Sequence, residues 1–70
     1  MISITRDKWY DLLILNNAII AAGLPLGLVA PARFYGSSYD GTPGVGVTTV
    51  WCFSDLTAGE RTIIEGILDA

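Results

Sequence analysis

From Leu12 to Ala32 the chain runs 21 residues without a charged side chain. That is about the length an α-helix needs to cross a bilayer, so the run must either enter a membrane or build a protein core. Its details favour the core. Asn16 and Asn17 lie adjacent within it, Gly23, Pro25, Gly27 and Pro31 break its second half, and no basic cluster marks a cytoplasmic end. Ala30-Pro31-Ala32 has the small residues of a signal-peptide cleavage site, but Asp7 and Asp11 precede it where a leader wants net positive charge. Neither a membrane span nor a secretory leader is expected.

The remainder of the chain has the means to complete that core. Apolar residues make up 51% of the sequence, far above the disordered range. Seventy residues suit one compact domain, residues 1–70, which buries only about 60% of its unfolded surface. Cys52 is the one cysteine and histidine is absent, so neither an internal disulfide nor a usual zinc site can form within the chain. No metal or cofactor is expected, and a reducing cytoplasm is the expected location.

Ile2 and Ile4 alternate with Ser3 as a short strand does. Thr5 then offers a cap for a helix from about Arg6 to Ala22, with Asp7 in its first turn and Gly23 and Pro25 as stops. At about 100° per residue, Trp9, Leu12, Leu13, Ile19 and Ile20 share one face, with Asp7, Asp11, Ala18 and Ala22 opposite. Asn16 falls within the apolar face and needs a partner, for which the loop backbone after Gly23 is the candidate. Ile14 and Leu15 flank the polar face. The plainer expectation is that strands or loops cover the helix on more than one side; the alternative is an exposed apolar patch that meets another chain.

Leu26 to Tyr35 is apolar but punctuated by Gly27 and Pro31, which suits a short edge strand. Gly44 to Phe53 is the best strand pattern in the chain, with Val45, Val47, Thr49, Trp51 and Phe53 on one face and Gly44, Gly46, Thr48, Val50 and Cys52 on the other. GSSYDGTPG between them is dense in turn formers, so a hairpin is expected, with Tyr35, Tyr39 and Asp40 near its loop. Thr57-Ala58-Gly59-Glu60 fits a capping box, and Ile63, Ile64, Ile67 and Leu68 recur at helical spacing behind it, leaving Arg61, Thr62, Glu65 and Asp69 outward. Gly66 in that helix would permit a close approach to a strand. The expected fold is a small α+β domain of order β-α-β-β-α, with two helices on an antiparallel sheet of about three strands.

The glycines invite a nucleotide-binding reading that the residues refuse. Gly36 to Gly41 has P-loop spacing, but Thr42-Pro43 stands where lysine and serine or threonine should follow. Pro43 also removes an amide donor, and Gly44-Val45-Gly46 opens a strand where a dinucleotide fingerprint would close one. Catalysis has no better footing. Cys52 lies between Trp51 and Phe53 with no histidine as base, and Ser37 and Ser38 beside Asp40 read as a turn closing its own backbone.

Charge is distributed unevenly. Residues 1–53 carry Asp7, Asp11 and Asp40 against Arg6, Lys8 and Arg33, so the net −3 resides in the last 17 residues, where Asp55, Glu60, Glu65 and Asp69 face Arg61. Four scattered basic residues make no phosphate-binding stripe, and direct nucleic-acid binding is not expected. Asp7 with Asp11, and Glu65 with Asp69, stand four apart, where like charges on a helix repel by a few tenths of a kcal/mol. A solvated face accounts for such pairs, and so does an acidic face that imitates a phosphate array.

In chain length, acidic tail from Asp55 to Asp69 and lack of catalytic groups, the protein resembles the small acidic inhibitors that phages and prophages encode, anti-CRISPR proteins among them, some of which are DNA mimics. The resemblance covers no motif and carries over no residue. It implies a non-enzymatic binding protein, in the host cytoplasm, that blocks a basic nucleic-acid-binding complex. The acidic face would comprise Asp7, Asp11, Glu60, Glu65 and Asp69, with Tyr35, Tyr39 and Asp40 as a second contact. The alternative is a structural or virion assembly protein that self-associates through Ile14, Leu15, Tyr35 and Tyr39. Either reading leaves the chain a monomer or a weak homo-oligomer.

Overall fold

A computed structural model describes residues 1–42 and 44–70. Its elements are β1 (Ile2–Arg6), α1 (Leu12–Ala21), β2 (Phe34–Thr42), β3 (Val45–Cys52) and α2 (Ala58–Leu68). The sheet order is β1-β3-β2 with both pairings antiparallel, which makes this the small α+β domain of order β-α-β-β-α that the sequence pattern anticipates.

The registers explain where the core lies. Ile4 stands opposite Val50 and Phe34 opposite Cys52, so these four side chains share one face of the sheet. Leu15 and Ile19 of α1, Leu24 and Ile64 and Leu68 of α2 close over that face. Both helices therefore cover the same side. Of the two rows on β3, Thr48, Val50 and Cys52 form the buried one. Thr48 is the one buried polar residue among those described, and its hydroxyl donates to the Lys8 carbonyl at 2.5 Å.

Several expected boundaries shift, each for a physical reason. Pairing of β1 with β3 runs through Arg6 opposite Thr48, so residues 5 and 6 are extended and Thr5 caps nothing. Asp11 is the cap of α1, accepting from the Leu13 and Ile14 amides at 3.0 and 3.2 Å. Trp9 thus lies outside the helix, edge-on to Tyr39. The far end closes as expected at Gly23, whose φ of 97° suits glycine; its amide donates to Ile20 O and that of Leu24 to Ile19 O.

The segment expected to be a loop is mostly strand. Residues 36–42 pair with β3, whereas of residues 26–33 only Leu26 makes an isolated bridge, to Phe34. Gly41 faces Gly46, and a β-carbon on Gly41 would sit 2.5 Å from the Val45 carbonyl oxygen. The glycines there let two strands approach closely while continuing the ladder. Pro43 lies outside the described residues. In α2 the capping box is present, but Ile63 is exposed, and Gly66 meets no neighbouring strand.

Candidate functional site

Three residues of the anticipated acidic face, Glu60, Glu65 and Asp69, are held in two ion-pair clamps. Arg6, at the end of β1, donates from Nε to Asp69 Oδ1 at 2.7 Å and from Nη2 to Glu65 Oε2 at 3.1 Å. One guanidinium therefore offsets the repulsion between two carboxylates a helical turn apart. Arg33, just before β2, grips Glu60 through two parallel bonds, Nε to Oε2 at 2.9 Å and Nη2 to Oε1 at 2.8 Å, and reaches Asp55 at 3.2 Å. Arg61 lies 3.7 Å from Glu65.

These contacts set the protonation of the acids. The Arg33 fork, with the Thr57 amide on Glu60 Oε1, holds the Glu60 carboxyl down at about 2. Arg6 pushes the Asp69 carboxyl below its ordinary value in the same way, and both guanidinium groups are held even more firmly in their charged form. Burial pushes the Cys52 thiol up, the direction that makes it a poor nucleophile.

The other two acids are placed elsewhere. Asp11 is spent on the α1 cap, and Asp7 lies exposed in the connection before it, so the two are not stacked on one helix face. The aromatic candidates do not meet at a hairpin tip either. Tyr35 stacks on Phe53 with centroids 4.3 Å apart, and Tyr39 packs edge-on against Trp9. Asp40 is exposed on β2 opposite Val47. Ser37 donates to Asn16 Oδ1 at 2.7 Å, giving Asn16 a strand side chain as partner in place of the expected loop backbone, and Ser38 accepts from the Trp51 indole.

Ile14 and Leu15 part company. Leu15 is 2% exposed, covered by the sheet, whereas Ile14 is 68% exposed. Ile14 is joined by Leu13 at 70% and Ile20 at 42%, with Asn17 and Ala21 also exposed. On an α-helix these five residues fall within an arc of about 120°, directly opposite Leu15 and Ile19. α1 is thus apolar on both its covered and its open side. Leu26, Leu28 and Val29, in the uncharged segment that follows it, are exposed as well.

Sequence reasoning missed the part played by Leu13 and Ile20, which it placed inward. The available signal was that large aliphatic residues occur all round the α1 axis, as expected of a helix with neighbours on more than one side. It missed Arg6 and Arg33 as clamps because their partners lie 59 to 63 and 22 to 27 residues away.

Among the described residues there is no pocket, no cluster of side chains suited to a metal ion, and no helix long and apolar enough to cross a membrane. No protein-family model, curated protein or solved structure matches the chain.

Proposed function

We propose that this is a non-enzymatic binding protein that presents the outer face of α1 to another protein chain, in the manner of an assembly component. The observation carrying this reading is that Leu13, Ile14 and Ile20 stand open to water on one side of a helix whose other side already fills the core. The acidic blocker is the weaker form of the idea. Glu60, Glu65 and Asp69 are paired with Arg33 and Arg6, whereas a mimic of phosphate needs its negative charge uncompensated. A phage-encoded inhibitor fits the reading as a small protein that occupies an apolar surface of its target.

The same clamps support the other parts of the proposal. Carboxyls held ionised by arginine are poor proton donors, which argues against acid–base catalysis by Glu60 or Asp69. Arg6 and Arg33 are engaged within the chain, leaving little positive charge for nucleic acid. A cytoplasmic location rests on the single thiol of Cys52.

The test is capture by the tagged protein from a concentrated cell lysate, fixed by chemical cross-linking before washing, at about 50 mM and about 500 mM salt, a range over which exposed charge contacts are largely screened. Ile14→Asp should abolish capture at both, and Asp7→Lys or Asp40→Lys should leave it unchanged. Capture that survives Ile14→Asp but disappears at high salt would return the function to the acidic residues.

A further inference from the structure

We infer that the partner for this face is a second copy of the chain, with the two α1 helices packed antiparallel about a twofold axis at Asn17. The inference rests on the proposed use of the α1 face and adds the identity of the occupant.

Three observations lead there. The first is charge. Each copy carries −3, yet no charged residue occurs between Leu12 and Ala32, so two copies can meet on this surface without opposing like charges. In the antiparallel arrangement Asp11, the acid that adjoins α1 in sequence, lies about 18 Å along the axis from its symmetry mate, beyond a Debye length at physiological salt. A lipid surface is a poorer occupant, because an anionic membrane would repel the net charge and the face has no basic fringe to hold it.

The second observation is the sequence symmetry of the face. Asn17 sits in the middle of the exposed arc, and a twofold axis through it brings Ile14 against Ile20 of the other copy, and Leu13 against Ala21. A branched side chain thus meets a branched one, and a large one meets a small one, which is how a two-helix contact interdigitates. A twofold interface requires such self-complementarity.

The third is Asn17 itself. Its amide is the lone polar side chain on an otherwise aliphatic arc. Against its symmetry mate each amide can donate to and accept from the other, which satisfies both and fixes the register, as a single buried asparagine does in a coiled coil. Helices packed at 8–10 Å place the two residue-17 Cα atoms roughly 4–5 Å apart, at the short end of what a disulfide spans.

Two ten-residue helices make a contact below the standard interface size, so the dimer should be weak, with a dissociation constant on the order of 0.1 mM. Sedimentation velocity from about 10 µM to about 1 mM should therefore pass from monomer to dimer, and Ile14→Asp should weaken the association at least about tenfold. The register is tested by charge exchange. Ile14→Lys with Ile20→Glu should dimerise, because unlike charges then face each other, and Ile14→Lys with Ile20→Lys should not; both are surface positions, and circular dichroism checks that each variant is folded. Under mild oxidation Asn17→Cys should give a disulfide-linked dimer much faster than Ser3→Cys on β1.

A wild-type protein that stays monomeric throughout, or Asn17→Cys that cross-links no faster than Ser3→Cys, overturns the inference. If the purified protein is monomeric while capture of a different protein still depends on Ile14, the dimer fails and the proposed function stands. If a dimer forms but ignores the Ile14 variants, both fail.

Discussion

Glu60 accepts three hydrogen bonds on two oxygens, from the Thr57 amide and from Nε and Nη2 of Arg33. One side chain thereby completes the capping box of α2 and ties that helix to the strand edge at Arg33. Because its carboxyl is held at about 2 in the folded chain against an ordinary 4.5, the contribution is complete above about pH 4.5 and is lost as pH falls through about 2. Urea midpoints followed by circular dichroism should accordingly drop between about pH 6 and about pH 3, and Glu60→Gln should reduce both the midpoint at pH 6 and the size of that drop. An unchanged drop in the variant would mean that other carboxyls govern acid sensitivity. The capping box was legible in Thr57 and Glu60 because both halves lie within one turn. Its arginine was not, since nothing in local spacing connects residue 33 to residue 60.

At the scale of elements, α1 shows why periodicity can name a helix yet miss its orientation. Its existence and its stop at Gly23 were legible, because cap and stop residues act locally. Its inward face was not. Leu12, Leu13, Ile14, Leu15, Ile19 and Ile20 surround the axis, so several rotations bury similar apolar area, and what selects Leu15 and Ile19 is the shape of the sheet beneath. The start was misplaced for a related reason: Thr5 and Asp11 are both good caps, and pairing of Arg6 with Thr48 decides between them. Two adjacent residues test the orientation. Ile19→Ala should cost about 2–5 kcal/mol, as a fully buried aliphatic does, and Ile20→Ala less than about 1 kcal/mol in dilute solution, where its face is open. Comparable losses in denaturant melts would show that α1 turns a different side to the sheet.

Across the whole molecule, one sheet face is covered by both helices and the other is left to Thr5, Thr49, Ser38 and Trp51, so the protein has one core and that core is thin. The order β-α-β-β-α was readable because the signals that define it, alternation from Val45, the capping box and the glycine stops, are each contained in one segment. The choice of buried row on β3 was not, because it depends on where the helices land. Phe34 is the largest fully buried side chain, opposite Cys52 on the row where strands and helices meet. A 70-residue domain has total stability of roughly 4–10 kcal/mol, and deleting a buried phenylalanine side chain costs about 3–5 kcal/mol. Phe34→Ala should therefore remove roughly a third of the stability or more, lowering the thermal midpoint by roughly 12–40 °C or leaving the chain largely unfolded at room temperature. Leu28→Ala, an equally apolar truncation at an exposed position, should leave the melt within a few degrees of wild type. If the Phe34 variant melts as the Leu28 variant does, the sheet packs its core on the opposite face.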